Sequence, residues 1–196
     1  TRRSSDLVNL SKAQDGAVAI TADANASVTV TFTNTTDSTR APQTVTLQGA
    51  GATEVLAKLT SKQTSDLGQG TIKVTAQAVD AAGNSSGSTP SGSAPTFKLD
   101  TTPPTVSISS DKTRLKSGES ANITFTFSED AVITNFDATN LIVTGGTLGP
   151  LSGTGNTRTV TFTANTANLS GQQASIAVNA GSYTDTALNS GASAAS

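Results

Sequence analysis

The sequence predicts an all-β chain of two similar sandwich domains in tandem, joined by a short proline-containing linker. Three observations carry that prediction: apolar residues alternating with threonines, a composition that supports only thin cores, and a turn that recurs one domain-length along the chain. The alternation runs throughout. Val28, Val30 and Phe32 share one side of SVTVTFTN, with threonines on the other. Val45 and Leu47 repeat the pattern in QTVTLQG, Ile72, Val74, Ala76 and Ala78 in TIKVTAQAV, and Phe97 with Leu99 in TFKL. In the second half it returns as Val106/Ile108, Ile123/Phe125/Phe127, Val160/Phe162 and Ile176/Val178. Successive side chains of a strand point to opposite faces, so this period of two marks sheets with one buried side. Two such sheets packed face to face make a sandwich.

The composition agrees. Of 196 residues, 34% are hydrophobic and 13% charged, with 17 glycines. Apolar usage in an average globular chain is roughly 45–50%, so the cores here are thin and suit two small sandwiches. Gly, Asn, Asp, Ser and Pro separate the alternating runs, as turn residues do. The best helical candidate is one turn around Leu59 to Leu67, in LTSKQTSDLG. The opening segments VNLS and AVAITADA are read as the first two strands. The glycine-rich stretch Gly145 to Gly155 is read as a hairpin loop.

The recurring turn sets the domain size. TIKVTAQAV runs into Asp80-Ala-Ala-Gly-Asn84, and ASIAVNAGSYT into Asp185-Thr-Ala-Leu-Asn189. Both turns read D-x-x-x-N, and their aspartates lie 105 positions apart (185 minus 80). That is close to one immunoglobulin-like domain of about 100 residues. The predicted domains are therefore 1–100 and 101–196, both immunoglobulin-like β-sandwiches. Only SGASAAS follows the second turn, so the last strand of the second domain is expected to be short or incomplete. Thr1 reads as the cut edge of a longer protein, and no signal peptide is visible.

Several function classes are poorly served. The chain contains no His and no Cys, which removes the commonest general base, thiolate ligands, disulfides and a serine triad. The reading is a protein that is not an enzyme. A net charge of −2 offers no basic face for phosphates, which argues against nucleic acid. No apolar run approaches the length that inserts into a membrane. Glu119 with Asp137 makes a poor acid–base pair, because no pocket-forming sequence accompanies them. Asn122-Ile-Thr124 fits the N-x-[ST] acceptor pattern. It lies within a predicted strand and is read as chance. Tyr183 is expected to anchor the last turn, as a tyrosine near a sandwich corner does. Phe136 is expected to pack beneath the loop after Asp130.

The stretches GTIKVTAQAVDAAGNSS, FKLDTTPPTVSIS, LKSGESANITFTFSEDAV and FDATNLIVTGGTL resemble the tandem bacterial Ig-like repeats of giant surface adhesins, the biofilm-associated and repeat-in-toxin (RTX) adhesins of Gram-negative bacteria. The resemblance covers nearly the whole chain. It implies a secreted, cell-surface rod of many domains for cell adhesion and biofilm formation. It also implies calcium near the junctions. The partners implied are neighbouring repeats of the same chain, with any host or surface ligand bound by other domains. The chain itself is read as a monomer.

The residues bear on calcium directly. With seven strands alternating in direction, the linker aspartate Asp100, the end of the second strand (Glu129, Asp130) and the turn at Asp185 fall at one pole of the second domain. Clustered carboxylates repel one another without a cation. Calcium accepts six to eight oxygens in flexible geometry, and Asn189 could add one. Asp80 and Asn84 are the corresponding candidates in the first domain, beside Asp23, with Asp37 and Asp66 at its other pole. A second reading stays open, because Asp and Asn are also the residues of ion-free tight turns, and TTPP reads equally as a plain stiff linker. The alternatives to a spacer are a module binding a protein receptor or carbohydrate, and an accessory spacer of a secreted enzyme.

Overall fold

The structure, a computed structural model, describes residues 7–86, 94–129, 136–166 and 173–196. The chain divides into two compact units, Thr1–Thr101 and Thr102–Ser196. Strands dominate both units, and the fold is all-β, as the alternation predicts.

In the first unit, β1 (Leu7–Val8), β3 (Ser27–Asn34), β4 (Gln43–Gln48), β6 (Gly70–Val79) and β7 (Thr96–Leu99) form one sheet in the order β1-β7-β6-β3-β4. Among the described residues of this sheet, only the β1–β7 pair is parallel. A second sheet pairs β2 (Val18–Ala22) with β5 (Gly51–Ala57). The apolar residues that alternate in β3, β6 and β7 become the core: Val30, Phe32, Ile72 and Phe97 are at most 1% exposed. Phe32 and Phe97 meet edge to face at 6.4 Å, the arrangement that the quadrupole of an aromatic ring favours.

The opening of this unit departs from expectation. VNLS is a strand only at Leu7 and Val8. The chain then turns into α1 (Leu10–Gly16), whose N-cap Asn9 accepts the Lys12 amide on Oδ1 at 2.9 Å. An asparagine oxygen that satisfies one of the orphan amides of a first turn favours helix over strand. The expected helical turn at Leu59–Leu67 is α2 (Ser61–Leu67). It opens on a reciprocal capping box between Thr60 and Gln63 and buries Leu67 completely.

Among the described residues, the second unit has seven strands in two sheets. One sheet runs β11 (Gly146–Leu148), β12 (Thr157–Ala164), β9 (Ser120–Phe127), β8 (Val106–Ser110). The other runs β10 (Leu141–Thr144), β13 (Ser175–Val178), β14 (Ala194–Ala195). Lettered A to G in chain order, these are the ABED and CFG sheets of an immunoglobulin-like sandwich. Phe125, Phe127, Phe162, Ile176 and Val178 fill the space between them. Phe136, from the loop before β10, packs on Phe125, Phe127 and Tyr183 at 5.0–5.9 Å. The loop after Asp130 that it was expected to underlie falls outside the described residues.

Gly145 to Gly155 is not all loop. Its first part is strand β11, paired with β12 through Gly146↔Ala164. A Cβ at Gly146 would stand 2.2 Å from the Phe162 ring and 2.4 Å from the Thr163 carbonyl oxygen. Glycine is needed where the chain leaves one sheet and joins the other, because only its bare backbone fits so close to the core. The last strand is short: β14 holds two residues against Ala177 and Val178, and the Ser196 amide extends the pairing to the Ile176 carbonyl.

Candidate cation site

The D-x-x-x-N turn explains itself in backbone terms at both positions. In the first unit, Asp80 Oδ1 accepts the Ala82 and Asn84 amides at 2.9 and 2.8 Å, and Oδ2 accepts Asn84 Nδ2 at 2.9 Å. Gly83, with φ +87°, supplies the left-handed step that returns the chain. The Asn84 side-chain amide, followed by the backbone amides, holds the Asp80 carboxyl below its ordinary value. Asp80 and Asn84 are both exposed.

In the second unit the same clasp forms, with the Asn189 amide on Asp185 Oδ1 and Asn189 Nδ2 on Oδ2, both at 2.9 Å. Here the left-handed step falls on Leu188, φ +72°, a conformation that disfavours a side chain. Asp185 is fully buried and Asn189 is 9% exposed. Burying a carboxylate is costly unless charge and hydrogen bonds compensate it. The difference between the two turns is therefore one of surroundings, not of turn chemistry.

Those surroundings include another carboxylate. Within the second unit, one carboxylate oxygen of Glu129 lies within 4.8 Å of one of Asp185. Asp100 follows β7, its amide bonded to the Val8 carbonyl at 3.0 Å. Glu129 follows β9, just after Ser128, whose amide bonds the Thr105 carbonyl at 2.9 Å and whose Oγ accepts the Thr105 amide at 3.0 Å. Asp185 sits in the turn between β13 and β14. The Glu129–Asp185 pair passes a simple test for a hard cation. Ligand oxygens about 2.3–2.6 Å from a calcium ion lie no more than about 5 Å apart.

The remaining candidates separate from this group. Asp130 lies outside the described residues. Asn189 enters through its two hydrogen bonds to Asp185, which fix the plane of that carboxylate. Among the described residues, Asp80 and Asn84 join no group of three metal-binding side chains. Asp37 accepts the Thr39 hydroxyl and amide and pairs with Arg40, and these interactions lower its pKa, Thr39 first. Asp66 pairs with Lys62 at 2.8 Å. Glu119 and Asp137 also do structural work. The Lys116 amide and the Lys112 ammonium hold Glu119, whereas Asp137 caps the short 3₁₀ turn 138–140.

Two residues that hold this region together deserve mention for different reasons. Tyr183, two residues before Asp185, is fully buried, and its hydroxyl lies 2.9 Å from the Ala192 carbonyl oxygen and 3.2 Å from that of Pro104. It thereby ties the turn to the start of the unit and to the chain beyond the turn. Its phenol packs on Phe127 at 5.4 Å, and burial raises its pKa. Gly191 was not anticipated from sequence. A Cβ there would stand 2.2 Å from Tyr183 Cζ, so this glycine is the floor on which the ring lies. The amide of Gly191 also bonds the Tyr183 carbonyl at 2.8 Å. A glycine eight residues past a corner tyrosine is the only sequence signal, and it is a weak one.

No curated protein matches the chain. Residues 100–196, from the linker aspartate to the end of β14 and Ser196, match the model of the family described as bacterial Ig-like domain.

Proposed function

We propose that the chain is a non-enzymatic extender of a large cell-surface adhesin, and that calcium bound by Asp100, Glu129 and Asp185 stiffens it. The observation that carries the reading is the approach of Glu129 to the fully buried Asp185, inside the matched repeat that Asp100 begins. Carboxylates at this spacing repel one another unless a cation neutralises them. Oxygen-only chemistry with flexible coordination favours calcium. A site built from side chains of a loop, a turn and a linker belongs to the modest affinities of extracellular modules, near 10⁻⁴–10⁻³ M.

The role follows from where the ligands lie in the chain. Asp100 follows β7, and the five residues 101–105, among them Pro103 and Pro104, separate it from β8. Calcium holding Asp100 to Glu129 and Asp185 removes the freedom of that linker, and the two prolines restrict what remains. A series of such repeats would project an adhesive domain from a secreted, surface-attached protein, serving cell adhesion and biofilm formation. The partners in this reading are neighbouring repeats of the same chain.

Isothermal titration of the whole chain with calcium tests the site. Wild type is expected to bind with sub-millimolar to millimolar affinity. Asp185→Asn should abolish binding, and Asp80→Asn should leave it unchanged. Equal loss in both variants, or no binding by the wild type, would remove calcium from the account.

A further inference from the structure

The chain is rich in Asn-x-Ser/Thr acceptor sequences, and the structure separates them by what each asparagine amide is doing. Five fall on described residues, at Asn9, Asn25, Asn34, Asn84 and Asn122; a sixth, at Asn168, lies outside them. Asn9 is 8% exposed and caps α1. Asn34 is 2% exposed, and its Nδ2 donates to the Leu67 and Gln69 carbonyls at 2.8 and 2.9 Å. Asn84 Nδ2 donates to Asp80, and Asn122 Nδ2 to Asp111 Oδ2 at 3.0 Å from within β9. A sugar on Asn34 would cost one of its two Nδ2 bonds, and at Asn9, Asn84 and Asn122 the side chain is already held in place by the cap, turn or strand edge that it shapes.

Asn25 differs. It is exposed at the tip of the tight turn between β2 and β3, with φ +66°. The turn is held by backbone alone, through the Asn25 amide on the Gly49 carbonyl and the Ala26 amide on the Asp23 carbonyl. Its side chain makes no hydrogen bond to any described residue. Ser27, the third residue of the acceptor, opens β3 and is half-buried, and Ala26 between them is buried. An N-linked acceptor belongs on a surface loop of a secreted protein, and of the five only Asn25 is exposed on a turn with a side chain that no hydrogen bond to a described residue holds.

We infer that Asn25 is an N-glycan acceptor, modified with a sugar activated as a glycosyl diphosphate. Asn25 Nδ2 attacks the anomeric carbon, and the C–N bond forms as the C–O bond to the diphosphate breaks. The electron pair leaves with the diphosphate, and one amide proton passes to a base of the transferase.

Peptide mass spectrometry of the protein isolated from its cell of origin tests this. The tryptic peptide Ala13–Arg40 contains both Asn25 and Asn34, so electron-transfer fragmentation must place the sugar. The expected result is a sugar on Asn25, absent in Asn25→Gln and in Ser27→Ala. An unmodified Asn25, or a sugar placed on Asn34 or Asn122, would overturn the inference. Incubating unmodified protein with the membrane fraction, or with the soluble fraction plus a nucleotide sugar, then distinguishes a lipid-linked donor from a nucleotide-linked one.

Discussion

At the residue scale, the same Asp–Asn clasp serves three places with different consequences. Asp80–Asn84, Asp185–Asn189 and Asp111–Asn122 each use a backbone amide and a side-chain amide on one carboxylate. The clasp itself is therefore a backbone device, and only burial and neighbouring carboxylates set Asp185 apart. No reading of D-x-x-x-N alone separates Asp80 from Asp185, because burial is decided by strands far away in sequence. Tyr183 and Gly191 give a test of the corner beside Asp185. Gly191→Ala drives a methyl group into the phenol ring and should destabilise the second unit by about 1–3 kcal/mol, read by denaturant unfolding. Tyr183→Phe keeps the ring and loses the hydroxyl contacts. Its cost should be about 1 kcal/mol, the net worth of an ordinary hydrogen bond. pH adds a separate check. Burial raises the Tyr183 pKa, so the folded state prefers the neutral phenol. The associated stability is complete below about pH 10, the ordinary tyrosine value, and is lost as pH rises through the raised one. The chain has one tyrosine, so phenolate absorbance reports this group alone. The phenolate signal should appear together with unfolding of the second unit, and Tyr183→Phe should remove that part of the alkaline transition.

At the scale of elements, legibility followed the strength of periodicity. Strands such as β3, β9 and β12, eight residues each with apolar residues on one face, read directly from the sequence. Helix α1 did not, because seven residues give too few turns for a period to show, and Asn9 acts as a cap only if the strand before it stops at Val8. Strand β11 was hidden by its glycine, whose lack of a side chain is the reason it fits against Phe162. The two-residue β14 has no alternation to detect. Helix α2 reads from the sequence as a single turn, and the structure supplies its cap at Thr60 and its buried Leu67. Thr60→Ala removes the oxygen that accepts the Gln63 amide and half of the capping box. We expect a loss of about 0.5–2 kcal/mol in the first unit, measured by thermal unfolding, with the second unit unaffected. A loss shared by both units would mean that they do not unfold independently.

At the scale of the whole molecule, counting strand directions from the linker puts Asp100, Glu129 and Asp185 at one pole of the second domain, and within the second unit the carboxylates of Glu129 and Asp185 lie within 4.8 Å of each other. The division of strands between sheets was not legible, because alternation tells which face is buried but not which strand pairs with which. Calcium should raise the stability of the second unit by mass action. At about 1 mM calcium and a Kd of about 0.1 mM the gain is about 1.4 kcal/mol, or a rise of about 5–10 °C in Tm for a domain of this size. Scanning calorimetry with calcium and then with chelator reads that shift, and Asp185→Asn should erase it. Stiffening is the claim on which the function rests, and small-angle X-ray scattering of the whole chain addresses it directly. With calcium the account predicts a longer maximum dimension and a narrow ensemble. Excess chelator should shorten the one and broaden the other, and the Asp100→Ala/Asp185→Ala double variant should behave like the chelated wild type in either condition. Scattering profiles that are identical with calcium and with chelator would contradict the account and leave the linker to its prolines alone.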